Sequence, residues 1–168
     1  MNGSRALRIS AAAFDGESTP QVRLLDARVS GLDESGLALT ARALSGATDT
    51  RCVSRSYCFP LALVAWHAAP VGIDIERITP FDNAFAESIR TPTERATVTP
   101  AEDEDRHVCS LWSSKEALAK ALGNALQYDP RRLESPIAWP NGRSDPWRVT
   151  TLAAAPGYVA WLCWRRCD

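Results

Sequence analysis

The spacing of apolar and polar residues along the chain predicts a protein rich in short strands. Apolar or alternating runs of strand length occur over residues 5–14, 21–29, 61–66, 147–152 and 157–164. Turn residues at 16–20 separate the first two runs. The stretch 31–50 is weakly patterned, and it is compatible with either a short helix or a short strand around 37–44. A second turn at 67–70 predicts that the apolar run before it pairs with residues 71–75 as a hairpin, so we expect an antiparallel sheet.

One of these strands carries acidic residues in a regular pattern. The segment Val71–Glu76 alternates apolar and acidic positions, which is the period of a β-strand. Ile73 and Ile75 then point to one face of the sheet, and Asp74 and Glu76 point to the other. Two carboxylates on one face of a strand repel each other unless a cation lies between them. The strand therefore predicts a cation site.

The longest helical pattern runs over residues 101–122. Pro100 and the acids that follow it are typical of a helix start, and Gly123 with the next asparagine is typical of a C-terminal cap. Trp112, Glu116 and Lys120 recur every four residues along one side of this helix.

If the helix packs on the acidic strand, Glu116 joins Asp74 and Glu76 in a site with three carboxylates. Hard oxygen ligands of this kind suit Mg²⁺, which takes the rest of its shell from water and from substrate phosphates. The sequence therefore predicts a magnesium site between strand and helix.

The lysines of the chain are confined to the same helix. Of the 19 lysines and arginines, only Lys115 and Lys120 are lysines. An ammonium binds phosphate as a compact point charge. Lys115 also lies on an apolar stripe with Leu111 and Leu118, where a charge needs a partner. The alternative is structural: Glu116 and Lys120 would form a surface pair worth a few tenths of a kcal/mol, and Lys115 would extend its ammonium to water.

Composition and charge narrow the class of protein. The 168 residues suffice for one compact domain or two small halves, and 45% hydrophobic with 23% charged residues is ordinary for a soluble globular protein. A net charge of -1 gives no general attraction to nucleic acid or to membranes, and no apolar run is long enough to span a bilayer. The first residues lack the apolar core of a signal peptide. Five cysteines without regular spacing describe neither a disulfide framework nor a zinc site, so we expect a cytoplasmic protein.

Two motifs in order resemble the signature of the 4′-phosphopantetheinyl transferase superfamily. The family pattern G-[IV]-D-x-E matches Gly72–Glu76, and the pattern W-[STC]-x-K-E-[AS]-x-x-K matches Trp112–Lys120. The segment Thr93–Arg95 resembles the acidic position ahead of the main helix in the family, and 156–160 resembles the closing strand of its surfactin-type branch. The resemblance covers roughly residues 53–164.

The resemblance implies a fold and an activity. The fold is α+β, an antiparallel sheet packed against a long helix, in two halves related by a pseudo-two-fold axis. Family members move the phosphopantetheine arm of coenzyme A onto a serine of an acyl or peptidyl carrier protein, as in holo-[acyl-carrier-protein] synthase, and release 3′,5′-ADP. Their carriers serve fatty acid, polyketide and nonribosomal peptide synthesis. We expect residues 1–70 to form a shortened first half and residues 71–168 to form the half with the motifs. Monomer is the first expectation, with a homo-oligomer as the second.

The matching positions imply residue roles. Asp74, Glu76 and Glu116 would hold Mg²⁺ against the pyrophosphate, and Glu116 is the candidate base for the serine proton, directly or through a metal-bound water. Lys115 and Lys120 would neutralise phosphate charge. The catalytic set is therefore Glu116, Lys120 and Asp74.

The chain departs from the surfactin-type branch before the acidic strand. That branch has a Ser-His-Ser stretch whose histidine meets coenzyme A phosphate, and the nearest counterpart here is Ser54–Ser56, with Arg55 in the histidine position. Arginine binds phosphate bidentately, so Arg55 and Ser56 are candidates for coenzyme A binding. The upstream Gly-Lys-Pro segment of the branch has no counterpart.

These departures leave two alternatives to the transferase. One is a repurposed enzyme on the same fold that uses the acidic cluster for acid–base chemistry on a carrier-tethered or small metabolite. The other is a non-catalytic carrier-protein binder. The presence of all three carboxylates and both lysines favours the transferase.

Overall fold

The computed structural model describes residues 7–9, 16–46, 52–96, 103–125 and 127–167. Eight strands lie within these ranges: β1 Leu7–Ile9, β2 Gln21–Asp26, β3 Cys52–Cys58, β4 Leu61–His67, β5 Val71–Arg77, β6 Arg143–Ser144, β7 Trp147–Thr151 and β8 Tyr158–Arg165. The α-helices are α1 Ala27–Ser30, α2 Glu34–Gly46, α3 Asn83–Ile89, α4 Pro92–Ala96 and α5 Glu104–Ala121. None of the helices in the described part is long and apolar enough to cross a membrane.

The strands form two four-stranded sheets. The first has the order β1-β2-β4-β3 and the second the order β5-β8-β7-β6, and all neighbours run antiparallel. The prediction of a mixed α and β protein with antiparallel strands is confirmed. The predicted strand 5–14 is described only at residues 7–9, and its remainder lies outside the described residues. The ambiguous stretch 37–44 is helical, because Leu37 and Ala41 recur at helical spacing and pack against β4.

The predicted hairpin between the apolar run 61–66 and the acidic strand is wrong. The strand β4 pairs with β2 on one edge and with β3 on the other, so it has no free edge for β5. The strand β5 instead pairs with β8, from Val71 opposite Trp164 to Arg77 opposite Tyr158. A short turn joins β4 and β5, but it carries the chain from one sheet to the other.

Serine side chains connect the two sheets at the free edge of β5. The backbone N–H of Ile73 donates to Ser54 Oγ at 3.0 Å, and that of Ile75 donates to Ser56 Oγ at 3.3 Å. The hydroxyls of β3 therefore satisfy backbone donors that an adjacent strand would otherwise take. Ile73 and Ile75 point into a core cluster built from both sheets, as their alternation predicts.

The helix α5 lies directly on β5 and β8. Asp103 caps its N-terminus by accepting a hydrogen bond from Arg106 N, and Gly123 follows its C-terminus with φ of 80°. Both ends agree with the predicted helix, although residues 101 and 102 lie outside the described part. Gly72 allows α5 to approach β5 closely, because a Cβ at this position would overlap the backbone oxygen of Ala117 and lie 2.5 Å from Ala121 N.

Gly72→Ala should destabilise the protein by about 3 kcal/mol, because the added methyl meets helix backbone that has no room to move aside. Chemical denaturation measures the change. The matched control is Gly46→Ala, since a Cβ there meets nothing within 4 Å and should leave stability nearly unchanged. Equal stabilities of the two variants would contradict the close approach of α5 to β5.

His67 gives the fold a pH dependence below neutrality. Its Nε2 lies 3.2 Å from the Ser18 carbonyl and 3.7 Å from Cys167 Sγ, and its Nδ1 accepts from Ala69 N, an arrangement that suits the neutral ring. Burial lowers the pKa of His67, although the Ser18 carbonyl opposes the shift.

Because the unfolded chain then binds more protons than the folded one, the free energy of unfolding should fall as the pH drops below about 6.5, the ordinary histidine pKa. A His67→Gln variant should lose less stability between pH 7.5 and pH 5.5 than the parent protein, as urea titrations at the two pH values would show. An equal loss would contradict this role of His67.

Candidate active site

Asp74 is the buried centre of an acidic cluster between β5 and α5. Its Oδ1 accepts hydrogen bonds from Ser56 Oγ at 2.8 Å and from Lys120 Nζ at 2.6 Å. Its Oδ2 is buried and has no hydrogen-bond partner among the described residues. A buried carboxylate oxygen without a partner is costly, so this atom indicates a site for a cation or a donor.

Glu76 lies one pleat further along the same face. Its Oε1 accepts a hydrogen bond from Trp112 Nε1 at 3.2 Å. Burial, and then the negative charge of Asp74, raise the pKa of Glu76 to about 7. The carboxylate is therefore held in an environment that disfavours its charge in the absence of a cation.

Glu116 brings the helix into the same cluster. Its Oε1 accepts a hydrogen bond from Tyr128 Oη at 2.6 Å. Burial raises the pKa of Glu116, and the charge of Asp74 adds to the shift, while Tyr128 and Lys120 oppose it. The charge of Glu116 also contributes to the raised pKa of Glu76, so the three carboxylates share one electrostatic environment.

The three carboxylates have a common pattern of contacts. Each binds protein donors through one oxygen, and no hydrogen bond within the described residues reaches the second oxygen. Over the same residues, no three acidic, histidine or cysteine side chains are already gathered as a coordination shell. The hard oxygen donors and the unpaired Oδ2 of Asp74 nevertheless fit Mg²⁺ in their chemistry.

Lys120 connects the acidic cluster to a neighbouring cavity. Its ammonium donates to Asp74 Oδ1 and, at 3.2 Å, to the carbonyl oxygen of Ile73. The same side chain lines a cavity of about 590 Å³. An ammonium has three donors, so one N–H of Lys120 is left for a ligand in this cavity.

The cavity lies between the two sheets. Its walls come from β3 of the first sheet, from the start of β5 in the second sheet, and from the end of α5 with the segment after it. The lining residues are Val53, Ser54, Arg55, Tyr57, Val71, Lys120, Gly123, Asn124, Ala125 and Gln127. Arg55 donates from Nη1 to Ser45 Oγ at 2.5 Å, which leaves its other guanidinium N–H groups available. Ser56 does not line the cavity, because its hydroxyl is held between Asp74 and Ile75 N. The structure thus brings Arg55 to the cavity and Ser56 to the acidic cluster.

Lys115 occupies a different environment from the one expected. It is completely buried, and its Nζ donates to Glu94 Oε2 at 2.6 Å, to the Ile89 carbonyl at 2.6 Å and to the Pro130 carbonyl at 2.9 Å. All three donors of the ammonium are therefore satisfied by protein. Burial lowers the pKa of Lys115, and Glu94 opposes this shift. The contacts give Lys115 a structural role in place of the predicted phosphate contact, and Glu94 is the partner that its apolar stripe required.

The sequence did not predict the contacts of three side chains that bear on the site. Trp112 lies four residues before Glu116, and this spacing indicates a shared face, but nothing in the sequence assigns its indole N–H to Glu76. Tyr128 reaches Glu116 from the segment after the helix, for which periodicity gives no signal. Glu94 reaches Lys115 from α4, across 21 residues of sequence.

Comparison with known proteins identifies the family of the chain. A family model for the 4′-phosphopantetheinyl transferase superfamily matches residues 70–161, which include the acidic strand and the whole of α5. The chain belongs to this superfamily. It is also similar to the 4′-phosphopantetheinyl transferase psf-1 of Bacillus pumilus, with 34% identity over 108 residues. That alignment covers 58% of this chain and 46% of the relative, so the chain spans about half the length of the relative that it matches.

Proposed function

We propose that the protein transfers the 4′-phosphopantetheine arm of coenzyme A to a serine of a carrier protein in a Mg²⁺-dependent reaction that releases 3′,5′-ADP. The observation that carries the proposal is the position of Lys120. This side chain contacts the acidic cluster through its ammonium, which donates to Asp74, and it also lines the cavity. An anionic substrate in the cavity would therefore lie next to three carboxylates that need a cation.

The carboxylates would hold the metal ion. Asp74, Glu76 and Glu116 supply hard oxygen atoms, and the buried, unpartnered Oδ2 of Asp74 is the strongest support for a cation. A bound Mg²⁺ would neutralise negative charge on the pyrophosphate and on the oxygen of the leaving group. Ser56, Trp112 and Tyr128 would hold these carboxylates in position, because each donates a hydrogen bond to one of them.

The basic side chains of the cavity would orient the nucleotide. Lys120 has an N–H left for a phosphate oxygen, and Arg55 lines the same cavity. Arg55 is also the nearest counterpart of the histidine of the surfactin-type branch. A guanidinium forms two parallel bonds with a phosphate, so Arg55 is suited to this contact. Ser56 supports Asp74 in this arrangement and does not contact the nucleotide.

Glu116 would act as the base. The serine oxygen of the carrier attacks the phosphorus that bears the pantetheine group, the bond from this phosphorus to the oxygen of 3′,5′-ADP breaks, and the serine proton passes to Glu116. Burial raises the pKa of Glu116, which makes its carboxylate a better proton acceptor than an exposed one. Proton transfer of this kind contributes about 10²- to 10⁴-fold to rate.

The arrangement of the two sheets supports a substrate cleft between them. Each sheet has one longer helix packed on it, α2 on the first and α5 on the second, which is the expected outline of two halves related by a pseudo-two-fold axis. The cavity has walls from both sheets, β3 in the first and the start of β5 in the second. We propose the two halves at residues 1–70 and 71–168.

The test is an assay with intact-protein mass spectrometry. The protein is mixed with apo carrier proteins, coenzyme A and Mg²⁺, and the carrier should gain the mass of one phosphopantetheine group. Omission of Mg²⁺ with added chelator should prevent the gain. A carrier panel that stays unmodified, together with turnover of a small acyl-phosphopantetheine metabolite, would contradict the proposal and favour a repurposed enzyme.

A further inference from the structure

The segment that follows α5 folds back along the helix and is tied down at both ends. At its start, Asn124 N donates to the Ala119 carbonyl at 2.9 Å, and Gly123 adopts the left-handed conformation that the reversal requires. At its end, the Pro130 carbonyl accepts from the buried ammonium of Lys115 at 2.9 Å. Tyr128 lies between these two anchors.

Tyr128 is directed from this segment to the acidic cluster. Its backbone N–H donates to the Asn124 carbonyl at 3.1 Å, which closes a helical turn. Its phenol donates to Glu116 Oε1 at 2.6 Å. A carboxylate only accepts, so the direction of this bond is fixed, and a bond to a charged acceptor is stronger than one between neutral groups.

The same segment also forms one wall of the cavity. Gly123, Asn124, Ala125 and Gln127 line the cavity, and the next residue, Tyr128, turns inward to the carboxylate. The backbone that would contact a bound nucleotide is therefore the backbone that places the phenol. Displacement of this wall would therefore also displace the phenol that donates to Glu116.

We propose that Tyr128 is a positioning residue for Glu116. By donating to Oε1, it holds the carboxylate in one orientation and leaves Oε2 for the divalent cation and for the serine proton. The inference rests on the proposed transferase function, and it extends that function to a residue outside both signature motifs. Lys115 contributes indirectly, because it anchors Pro130 at the end of the segment.

The test is a Tyr128→Phe variant, which keeps the ring and removes only the donor. Loss of a hydrogen bond to a ligating carboxylate typically costs 10- to 100-fold in metal affinity or activity, so we expect kcat to fall about 10-fold with KM for coenzyme A unchanged. The affinity for Mn²⁺ alone, measured by the paramagnetic resonance of the free ion, should fall by a similar factor. The matched control is Tyr158→Phe, which likewise removes one tyrosine hydroxyl. That hydroxyl accepts a hydrogen bond from Arg77 Nη2 at 2.8 Å. This control should retain the parent values.

A double variant separates positioning from general support of the fold. In a Glu116→Gln background, Tyr128→Phe should cause no further loss of Mn²⁺ affinity, because the phenol would act only through that carboxylate. A further loss of the same size would overturn the inference, and so would parent-like kcat and Mn²⁺ affinity in the single variant.

The two proposals fail in different ways. Weaker Mn²⁺ binding by Tyr128→Phe in a protein that modifies no carrier would support the positioning role and contradict the transferase. Transfer that is unaffected by Tyr128→Phe would support the transferase and overturn the positioning role. A parent protein that binds no Mn²⁺ would overturn both.

Discussion

A Glu116→Gln variant should transfer phosphopantetheine about 100-fold or more slowly than the parent protein while it remains folded. The amide cannot accept the serine proton, and it is a poorer ligand for Mg²⁺ than a carboxylate. The amide oxygen can still accept the hydrogen bond from Tyr128, so the local geometry should persist. Initial rates of carrier modification, measured by intact mass, give the change.

The control for this variant is Glu34→Gln. Glu34 is an exposed residue in the first turn of α2, away from the cavity and the acidic cluster, so its loss of charge should leave the rate unchanged. Thermal unfolding of both variants shows whether they are folded. A Glu116→Gln protein with the parent rate would remove this residue from the reaction and leave the acidic cluster without a base.

A Lys115→Met variant should lose about 3–5 kcal/mol of stability, which is the typical cost of removing one partner from a buried ion pair. The substitution keeps an unbranched side chain of similar length but removes the ammonium that donates to the half-buried Glu94 carboxylate. It also removes the donor from two backbone carbonyls, of Ile89 and Pro130. Urea denaturation measures the loss, and Arg28→Met is the control, because Arg28 pairs with Asp26 on the surface and should contribute less than about 1 kcal/mol.

This variant also separates the structural role of Lys115 from the phosphate-binding role that its sequence position implied. A phosphate contact would appear as a higher KM for coenzyme A with unchanged stability. A structural anchor would appear as lower stability. The second outcome is expected, and a stable variant with a raised KM would contradict it.

The acidic face of β5 could be predicted because it follows from the local alternation of residues along the strand. Alternation along a strand places Asp74 and Glu76 on one face whatever the rest of the fold does, and the four-residue spacing of Trp112 and Glu116 does the same for the helix. Gly72 then permits the two elements to approach. The meeting of strand and helix follows from the two motifs together.

The contacts that position the site could not be predicted in the same way. Pairing of β4 with β5 was expected because the two runs are adjacent in sequence, but strand pairing also depends on which edges are already occupied, and β2 and β3 occupy both edges of β4. The partner of Lys115 and the donor to Glu116 come from segments without regular periodicity. Their positions are set by backbone turns and long-range packing, which spacing does not encode.

The most direct test of the shared cation site is a crystal structure of the protein soaked with Mn²⁺ and coenzyme A, with anomalous diffraction recorded at the manganese edge. We predict one anomalous peak bounded by Asp74 Oδ2, Glu76 and Glu116, next to the pyrophosphate and within reach of Lys120. A Mn²⁺ peak that lies away from these carboxylates, or coenzyme A bound in the cavity with no manganese peak beside its pyrophosphate, would contradict the account.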